Sequence, residues 1–374
     1  MIPVLRPSYT VAEEQAVAEV LRSGWSGLGP KVDEFEQAFA AHLGVKHAVA
    51  TSSCTAALHI ALKLVGVSEG GAVLVPSLTF VSTGHVVKHL GASPLFMDVD
   101  AETLCSGPRQ VDALLDRKHY GNVEAIMSVL YAGQPVEPIS VPYPTVYDCA
   151  HACGSTFDAR GKLCAWSFHA VKNLSTGEGG MLTTDDTQLA ERARRLRWMG
   201  ISTSTYERNY ATQTRTAYKW EYDCQEIGYK ANMHDISAAI GLVQLARLKE
   251  MQKKREDLAA CYRVLLLRPQ LDGVVEILQH ASGSSYHLFV IRCPDRDALH
   301  AYLKERGIGT GVHYKPIHLY PCYGYQPALP VVEREWLKLL TLPLYPDLTL
   351  DQVEMICGHI RDFYAGAGHY AVGS

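Results

Sequence analysis

Trp166-Ser167-Phe168-His169-Ala170-Val171-Lys172-Asn173-Leu174-Ser175-Thr176-Gly177-Glu178-Gly179-Gly180-Met181-Leu182-Thr183-Thr184 is the stretch on which the reading of this chain turns. A short aromatic strand runs into a lysine. A glycine-rich turn then returns the chain to a second strand. A lone lysine is ordinarily a solvated surface group. A lysine held tightly in a crevice has its pKa depressed, and its free amine is then a nucleophile toward aldehydes.

Two segments upstream end in the same way, with polar groups at the close of an apolar run. In Val146-Tyr147-Asp148-Cys149-Ala150-His151 the strand ends at Asp148. A carboxylate there needs a cationic or donor partner, because burying it unpaired is costly. A protonated pyridine nitrogen is one such partner, and the carboxylate would keep that ring electron-withdrawing. Capping of the turn that follows is the alternative. In Thr51-Ser52-Ser53-Cys54-Thr55 small hydroxylated residues precede a helix. Free N–H groups and the helix dipole suit a phosphate, and plain N-capping by Ser53 or Thr55 accounts for the pattern equally well.

Outward from these segments, short strands and helices alternate. Strands are expected at 47–50, 72–75, 94–99, 123–130 and 145–147, with helices at 55–64 and through Val86 and Val87. Thr10 and Glu13 form a capping box ahead of a helix toward Arg22, and residues 32–43 read as a second helix. The alternation predicts an α/β fold with a mostly parallel sheet. In such a sheet the strand ends face one crevice where ligands bind. The texture changes near residue 235. An amphipathic helix runs from Asp235 to about Leu265. Alternating segments at 287–292 and 309–313 and helices at 296–306 and 350–364 follow. Two domains are expected, 1–240 large and 241–374 small and α+β, with a frayed tail at 365–374.

The chain has 374 residues, 47% hydrophobic and 20% charged, with a formal net charge of −4. That charge is too small for a nucleic-acid surface. The basic run Lys249, Lys253, Lys254 and Arg255, interrupted by Glu250, Glu256 and Asp257, reads as a solvated helix face. No apolar run approaches the ~18 residues of a membrane span, and residues 1–10 lack the core of a signal peptide. A cytoplasmic protein with reduced thiols is expected from ten cysteines in so long a chain. Cys149 and Cys153 have no nearby pair at zinc-site spacing, so no metal is expected.

SFHAVKNLSTGEGGM resembles the cofactor-lysine signature of the DegT/DnrJ/StrS sugar aminotransferases, a branch of the fold-type I pyridoxal-phosphate enzymes. The resemblance covers nearly the whole chain. It includes GWSGLGPKVDEFEQAFAAHLGVKHAVATSSCTAALHIAL (24–62), VPSLTFVSTGHVV (75–87), GASPLFMDVD (91–100), YDCAHACG (147–154), EIGYKANMHDISAAIGLVQL (226–245), GIGTGVHYKPIHLYPCY (307–323) and LTLPLYPDLT (340–349). It implies that Lys172 carries pyridoxal 5'-phosphate as a Schiff base and shuttles the proton. Asp148 is implied to pair with the pyridine nitrogen, His151 to sit near the ring oxygen, and Phe80 to stack on the ring. Cys54, Thr55 and Ser167 are implied phosphate ligands. Lys230, where many relatives carry asparagine, is implied to reach the phosphate of the neighbouring subunit in a homodimer. His313, Tyr314 and His318 match the block lining the sugar site, with ordinary packing as the alternative.

The implied reaction takes an amino group from glutamate or glutamine to the keto group of a nucleotide-linked sugar. A keto-inositol acceptor, or a non-catalytic sugar-nucleotide sensor, is the alternative. The lysine-containing version at 230–232 leans toward a UDP sugar. Two stretches are short for the family, 135–147 and 155–166. They bear on the identity of the acceptor.

Overall fold

The structure is a computed structural model and describes residues 1–116, 122–202, 222–324 and 326–366. A seven-stranded sheet organises the larger part. Its strands are β1 (His47–Thr51), β2 (Ala72–Pro76), β3 (Ser93–Met97), β4 (Val123–Val129), β5 (Thr145–Asp148), β6 (Leu163–Ser167) and β7 (Gly180–Thr184). The order is β1-β7-β6-β5-β4-β2-β3. β7 is antiparallel to both β1 and β6, and the neighbours from β6 to β3 pair in parallel. Every residue of β2, β6 and β7 is buried. Continuous apolar strands are what a sheet covered on both faces requires. The expected α/β architecture is therefore the observed one.

Helices α1 (Val11–Ser23) and α2 (Pro30–Leu43) precede the sheet. α3 (Cys54–Leu64), α4 (Val81–His89) and α5 (Pro108–Leu115) connect its strands, and α6 (Thr187–Arg197) follows β7. The Thr10/Glu13 capping box at the head of α1 is present; such a cap stabilises a helix by about 1 kcal/mol. One face of the sheet packs on Leu58, Ile60, Leu62 and Val86 from α3 and α4. On the other, Trp166 of β6 packs with Phe168 against Phe35 and Phe39 of α2.

Parallel neighbours ordinarily need a long crossover, usually helical. β4 and β5 are joined instead by residues 130–144, which contain one 3₁₀ turn, Tyr131–Gly133, and no α-helix. Ile139, Val141 and Tyr143 take the helix's place against Leu74, Met97, Val111 and Ile126. The shortening seen in the sequence thus leaves an apolar strap on that face.

The long helix Asp235–Leu266 joins two cores. Ala238 and Leu248 pack with Phe35 and Phe39, while Leu258, Tyr262 and Leu266 pack with Phe289, Leu342 and Ile360. Residue 240, the expected domain division, lies inside this helix. The second core is built on an antiparallel sheet of β8 (Glu276–Ile277), β9 (Phe289–Arg292) and β10 (Leu339–Leu342), ordered β10-β9-β8. The helices Arg296–Glu305 and Leu350–Gly366 flank it. Of the tail expected to fray, 367–374 lies outside the described residues; Ala365 and Gly366 end the last helix.

Two expectations need correction. The alternating segment at 309–313 makes a single bridge, Gly311 with Thr341, and no strand. After that bridge the chain turns away from β10 and delivers His313 and Tyr314 to the crevice. Arg255 does not belong to a solvated face. Lys253 and Lys254 are exposed and pair with Asp257 and Glu250 one turn away. Arg255 points the other way, is 2% exposed, and donates to the Leu344 carbonyl at 2.9 Å. A charge run along a helix cannot all face one side, and this residue falls on the inner stripe. Among the described residues no helix is long and apolar enough to cross a membrane.

Candidate active site

The carboxyl ends of β1, β2, β4, β5 and β6 open onto one cavity of about 390 Å³. Nine of the residues singled out in the sequence line it: Cys54, Thr55, Phe80, Asp148, His151, Ser167, Lys172, His313 and Tyr314. This is the strand-end crevice that a parallel sheet produces.

Lys172 follows β6 in a turn closed by its N–H to the His169 carbonyl at 2.8 Å. The next residue anchors that turn. Asn173 donates to the carbonyls of Ser285 (2.9 Å) and Cys153 (3.2 Å), and its Oδ1 lies 3.0 Å from His287 Nδ1. Burial lowers the Lys172 pKa to about 8, against the opposing pull of Asp148 and Cys54. The free amine, the form that nucleophilic attack on a carbonyl needs, is thereby more populated near neutral pH than in an ordinary lysine.

Asp148, at the end of β5, is 4% exposed. Its Oδ2 accepts from Thr83 Oγ1 at 2.9 Å and its Oδ1 from the Ala150 N–H at 3.1 Å. The turn-capping reading and the cavity-facing reading both hold, one through each side of the carboxyl group's surroundings. Burial raises its pKa, opposed by Ala150, Thr83 and Lys172. The group is held ready for a cation, with part of its acceptor capacity turned to the cavity.

Ser53 caps α3 by accepting from the Ala56 N–H at 3.1 Å. The first N–H groups of α3 have no partner within the helix and lie beside Cys54 and Thr55 at the cavity wall. Gly180 is what permits this. A Cβ there would sit 2.3 Å from the Ser53 carbonyl carbon and 2.5 Å from the Cys54 nitrogen, so any side chain would push the turn away. Phe80 stands at the mouth, 57% exposed, with its ring 6.0 Å from that of Tyr314. A large apolar ring left open at the mouth of the cavity offers a stacking surface.

His151 contacts the Ala132 N–H through Nδ1 at 3.3 Å and the Tyr314 hydroxyl through Nε2 at 3.1 Å. Burial, with Lys172 and His313 nearby, holds its pKa well below the ordinary histidine value. Burial likewise brings His313 to about 4.

Two residues lie outside the cavity. His318 is 4% exposed and is engaged by Ser77 Oγ at 2.5 Å and Glu333 Oε1 at 3.1 Å. Its place is in the packing behind the wall. Lys230 donates to Asn232 Oδ1 at 2.7 Å and lies 3.8 Å over the Trp198 ring. With Ser53, Thr55 and His59 it lines a separate depression of about 560 Å³ on the outer side of the α3 turn. Sequence reading missed Thr83 and Tyr131. Thr83 is in the first turn of α4, just past the end of β2, and Tyr131 follows β4 at the same edge of the sheet; those positions are the signal that finds them. Among the described residues no group of three or more His, Cys, Asp or Glu side chains could hold a metal ion.

The arrangement combines a buried amine with a lowered pKa, a buried carboxylate, the start of a helix and an open aromatic face. Comparison with known proteins agrees. Residues 7–361 match the model of the DegT/DnrJ/EryC1/StrS aminotransferase family. The chain is 38% identical to the spore coat polysaccharide biosynthesis protein SpsC of Bacillus subtilis, over 98% of each chain. It superposes on the aminotransferase TlmJ of Streptoalloteichus hindustanus with a TM-score of 0.85 at 34% identity, covering 98% of this chain and 100% of that one. Spr1654 of Streptococcus pneumoniae, solved in PMP and PLP forms, gives TM-scores of 0.87 and 0.85 at 28% identity, over 98% of this chain and 100% and 99% of those chains. On this family match and these superpositions, the chain belongs to the DegT/DnrJ/EryC1/StrS aminotransferase family and is a pyridoxal-phosphate-dependent sugar aminotransferase.

Proposed function

We propose that the enzyme moves the amino group of glutamate or glutamine to a keto group of a nucleotide-linked sugar, in a homodimer whose two cavities are each completed by the partner. The observation that carries this reading is the convergence of Lys172 and Asp148 on one cavity with Phe80 at its mouth.

Pyridoxal phosphate fits the residues present. The partly accessible Lys172 amine suits its aldehyde, the buried Asp148 its ring nitrogen, Phe80 its ring face, and the α3 start with Cys54, Thr55 and Ser167 its phosphate. When bound, the cofactor supplies an electron-poor ring that stabilises negative charge on the substrate carbon. Asp148 keeps that ring nitrogen protonated. Lys172, as the one amine lining the cavity among the described residues, would take a proton from the substrate carbon and return it. Phe80 orients the ring, and the apolar wall restricts water. His313 and Tyr314 face the space left for the acceptor. Lys230 sits too far round the α3 turn to line its own cavity, which suits a reach toward a phosphate held by the partner.

The sugar assignment draws further support from Helicobacter pylori PseC, an aminotransferase involved in the biosynthesis of pseudoaminic acid. It superposes with a TM-score of 0.84 at 25% identity over 98% of this chain and 99% of that chain. The test is spectroscopic. Glutamate or glutamine should bleach the absorbance of cofactor-loaded enzyme, and a keto-sugar nucleotide should restore it from the pyridoxamine form. Recovery with free keto acids or keto-cyclitols, and with none of the sugar nucleotides, overturns the acceptor assignment.

A further inference from the structure

Ala132, in the turn after β4, has φ 56° and ψ 9° although it is not glycine. The left-handed conformation costs an L-residue roughly 1–2 kcal/mol, and the surroundings impose it. The Ala132 carbonyl accepts from the His287 N–H at 3.2 Å. Gly133, at φ +87°, follows; a Cβ on it would lie 1.9 Å from Ser285 Oγ and 2.7 Å from the His151 carbonyl oxygen. Ser285 joins the two sides, donating its N–H to the Gly133 carbonyl at 3.0 Å and its hydroxyl to the His151 carbonyl at 2.6 Å. The preceding residue, Tyr131, donates its hydroxyl to the His313 carbonyl. The turn thus grips both His151 and the segment that carries Tyr314.

The strained residue aims its N–H at His151 Nδ1, 3.3 Å away. An N–H must meet a lone pair, so Nδ1 carries no proton and a neutral ring carries its proton on Nε2. Nε2 lies 3.1 Å from the Tyr314 hydroxyl oxygen. The ring therefore donates there and the phenol oxygen accepts, which leaves the phenol proton free of His151. Tyr314 lines the cavity.

We propose that the Tyr131–Gly133 turn and His151 form a positioning relay that turns the Tyr314 hydroxyl proton into the cavity, as a donor to a carbonyl or phenolate oxygen of the bound ligand. The relay rests on the proposed transamination only for the identity of that oxygen, which belongs either to the sugar's keto group or to the cofactor ring. The groups facing His151 are Lys172 and His313 from the cavity, the His287 ring at 4.3 Å, the Tyr131 ring at 6.4 Å and Tyr314. Burial, more than any neighbouring charge, disfavours a protonated ring, and such a ring would have no lone pair for the Ala132 N–H.

The first measurement needs no substrate. In cofactor-loaded protein with ¹⁵N-labelled histidine, nuclear magnetic resonance should show His151 protonated on Nε2 alone, and still neutral as the pH falls through the ordinary histidine value of 6.5. An Nδ1–H ring, or protonation near that pH, overturns the relay whatever the acceptor proves to be. The second measurement separates the two oxygens. Tyr314→Phe should cost roughly tenfold or more. If only the sugar half-reaction slows, the proton serves the keto group; if the cofactor's absorbance and its pH midpoint shift, it serves the ring oxygen. No change in either overturns the proposal. His151→Gln keeps a donor near the Nε2 position and should retain more activity than His151→Asn, which keeps only an acceptor near Nδ1. The reverse order, at equal melting temperatures, also overturns it.

Discussion

Thr83 Oγ1 donates to Asp148 Oδ2 at 2.9 Å, joining the first turn of α4 to the end of β5 at the floor of the cavity. Thr83 is fully buried and its oxygen also lies 2.9 Å from Thr79 Oγ1. Losing a hydrogen bond to a charged group costs about 1.5–3 kcal/mol, or roughly tenfold to a hundredfold in an equilibrium. Thr83→Val keeps the shape and removes the donor. Cofactor affinity, read by absorbance titration, should fall by about tenfold or more, and Thr83→Ser should stay close to the parent. Equal affinities for Val and parent would show that Asp148 does not depend on this contact.

The same carboxylate is a burden when no cation faces it. Its folded-state pKa is raised above 3.8 by burial. For an acid the sign is then unfavourable: the native state binds the proton more tightly, so stability is lost as pH rises through the folded pKa and is unaffected below 3.8. Asp148→Asn should therefore raise the melting temperature of the cofactor-free enzyme at neutral pH, with the gain shrinking on acidification. Transamination should fall by about a hundredfold or more, since the ring nitrogen loses its counter-charge. A variant that is both less stable and fully active would contradict the role assigned to Asp148.

Lys172 should reveal its depressed pKa in the rate of cofactor capture. The amine is the reactive form, and it predominates above about 8. Stopped-flow mixing of cofactor-free enzyme with pyridoxal phosphate should give a rate that climbs with pH and levels off near that value. An unperturbed lysine, titrating at 10.5, would still be climbing there. Lys172→Ala should abolish the covalent absorbance change and leave any phosphate-dependent binding in place.

How much of this was legible in the sequence follows from where each contact originates. Lys172, Asp148 and Thr55 stand at ends of apolar runs, and the strand–helix alternation alone sends such ends to one edge. Thr83 and Tyr131 stand at that edge too, but their partners, Asp148 and His313, are 65 and 182 positions away. No local pattern encodes that pairing. Asn173 is next to the key lysine, yet its function as an anchor appears only when Ser285 and His287 arrive from the second core. His318 matched a motif and went instead to Ser77 and Glu333. A motif fixes a position along the chain; which side of the wall the ring occupies is decided by the residues packed against it. Arg255 shows the same limit, since each position on a helix turns the side chain by roughly 100° and this one lands on the buried stripe.

Lys230 offers the sharpest test of the shared-site dimer. Within one copy it pairs with Asn232 and covers the Trp198 ring, an exposed cation–π contact contributing about 0.5–1 kcal/mol at most. Lys230→Ala should therefore change the melting temperature little. If its amine serves the partner's phosphate, the variant should still bind cofactor weakly and turn over poorly. Mixing the inactive Lys172→Ala chain with the impaired Lys230→Ala chain then gives a definite outcome. In a mixed twofold dimer one cavity collects both defects and the other collects neither. Random exchange makes half the dimers mixed, so activity should recover to about a quarter of the parent's. If each cavity were built from one chain alone, every cavity in the mixture would carry one defect, and mixing would restore nothing.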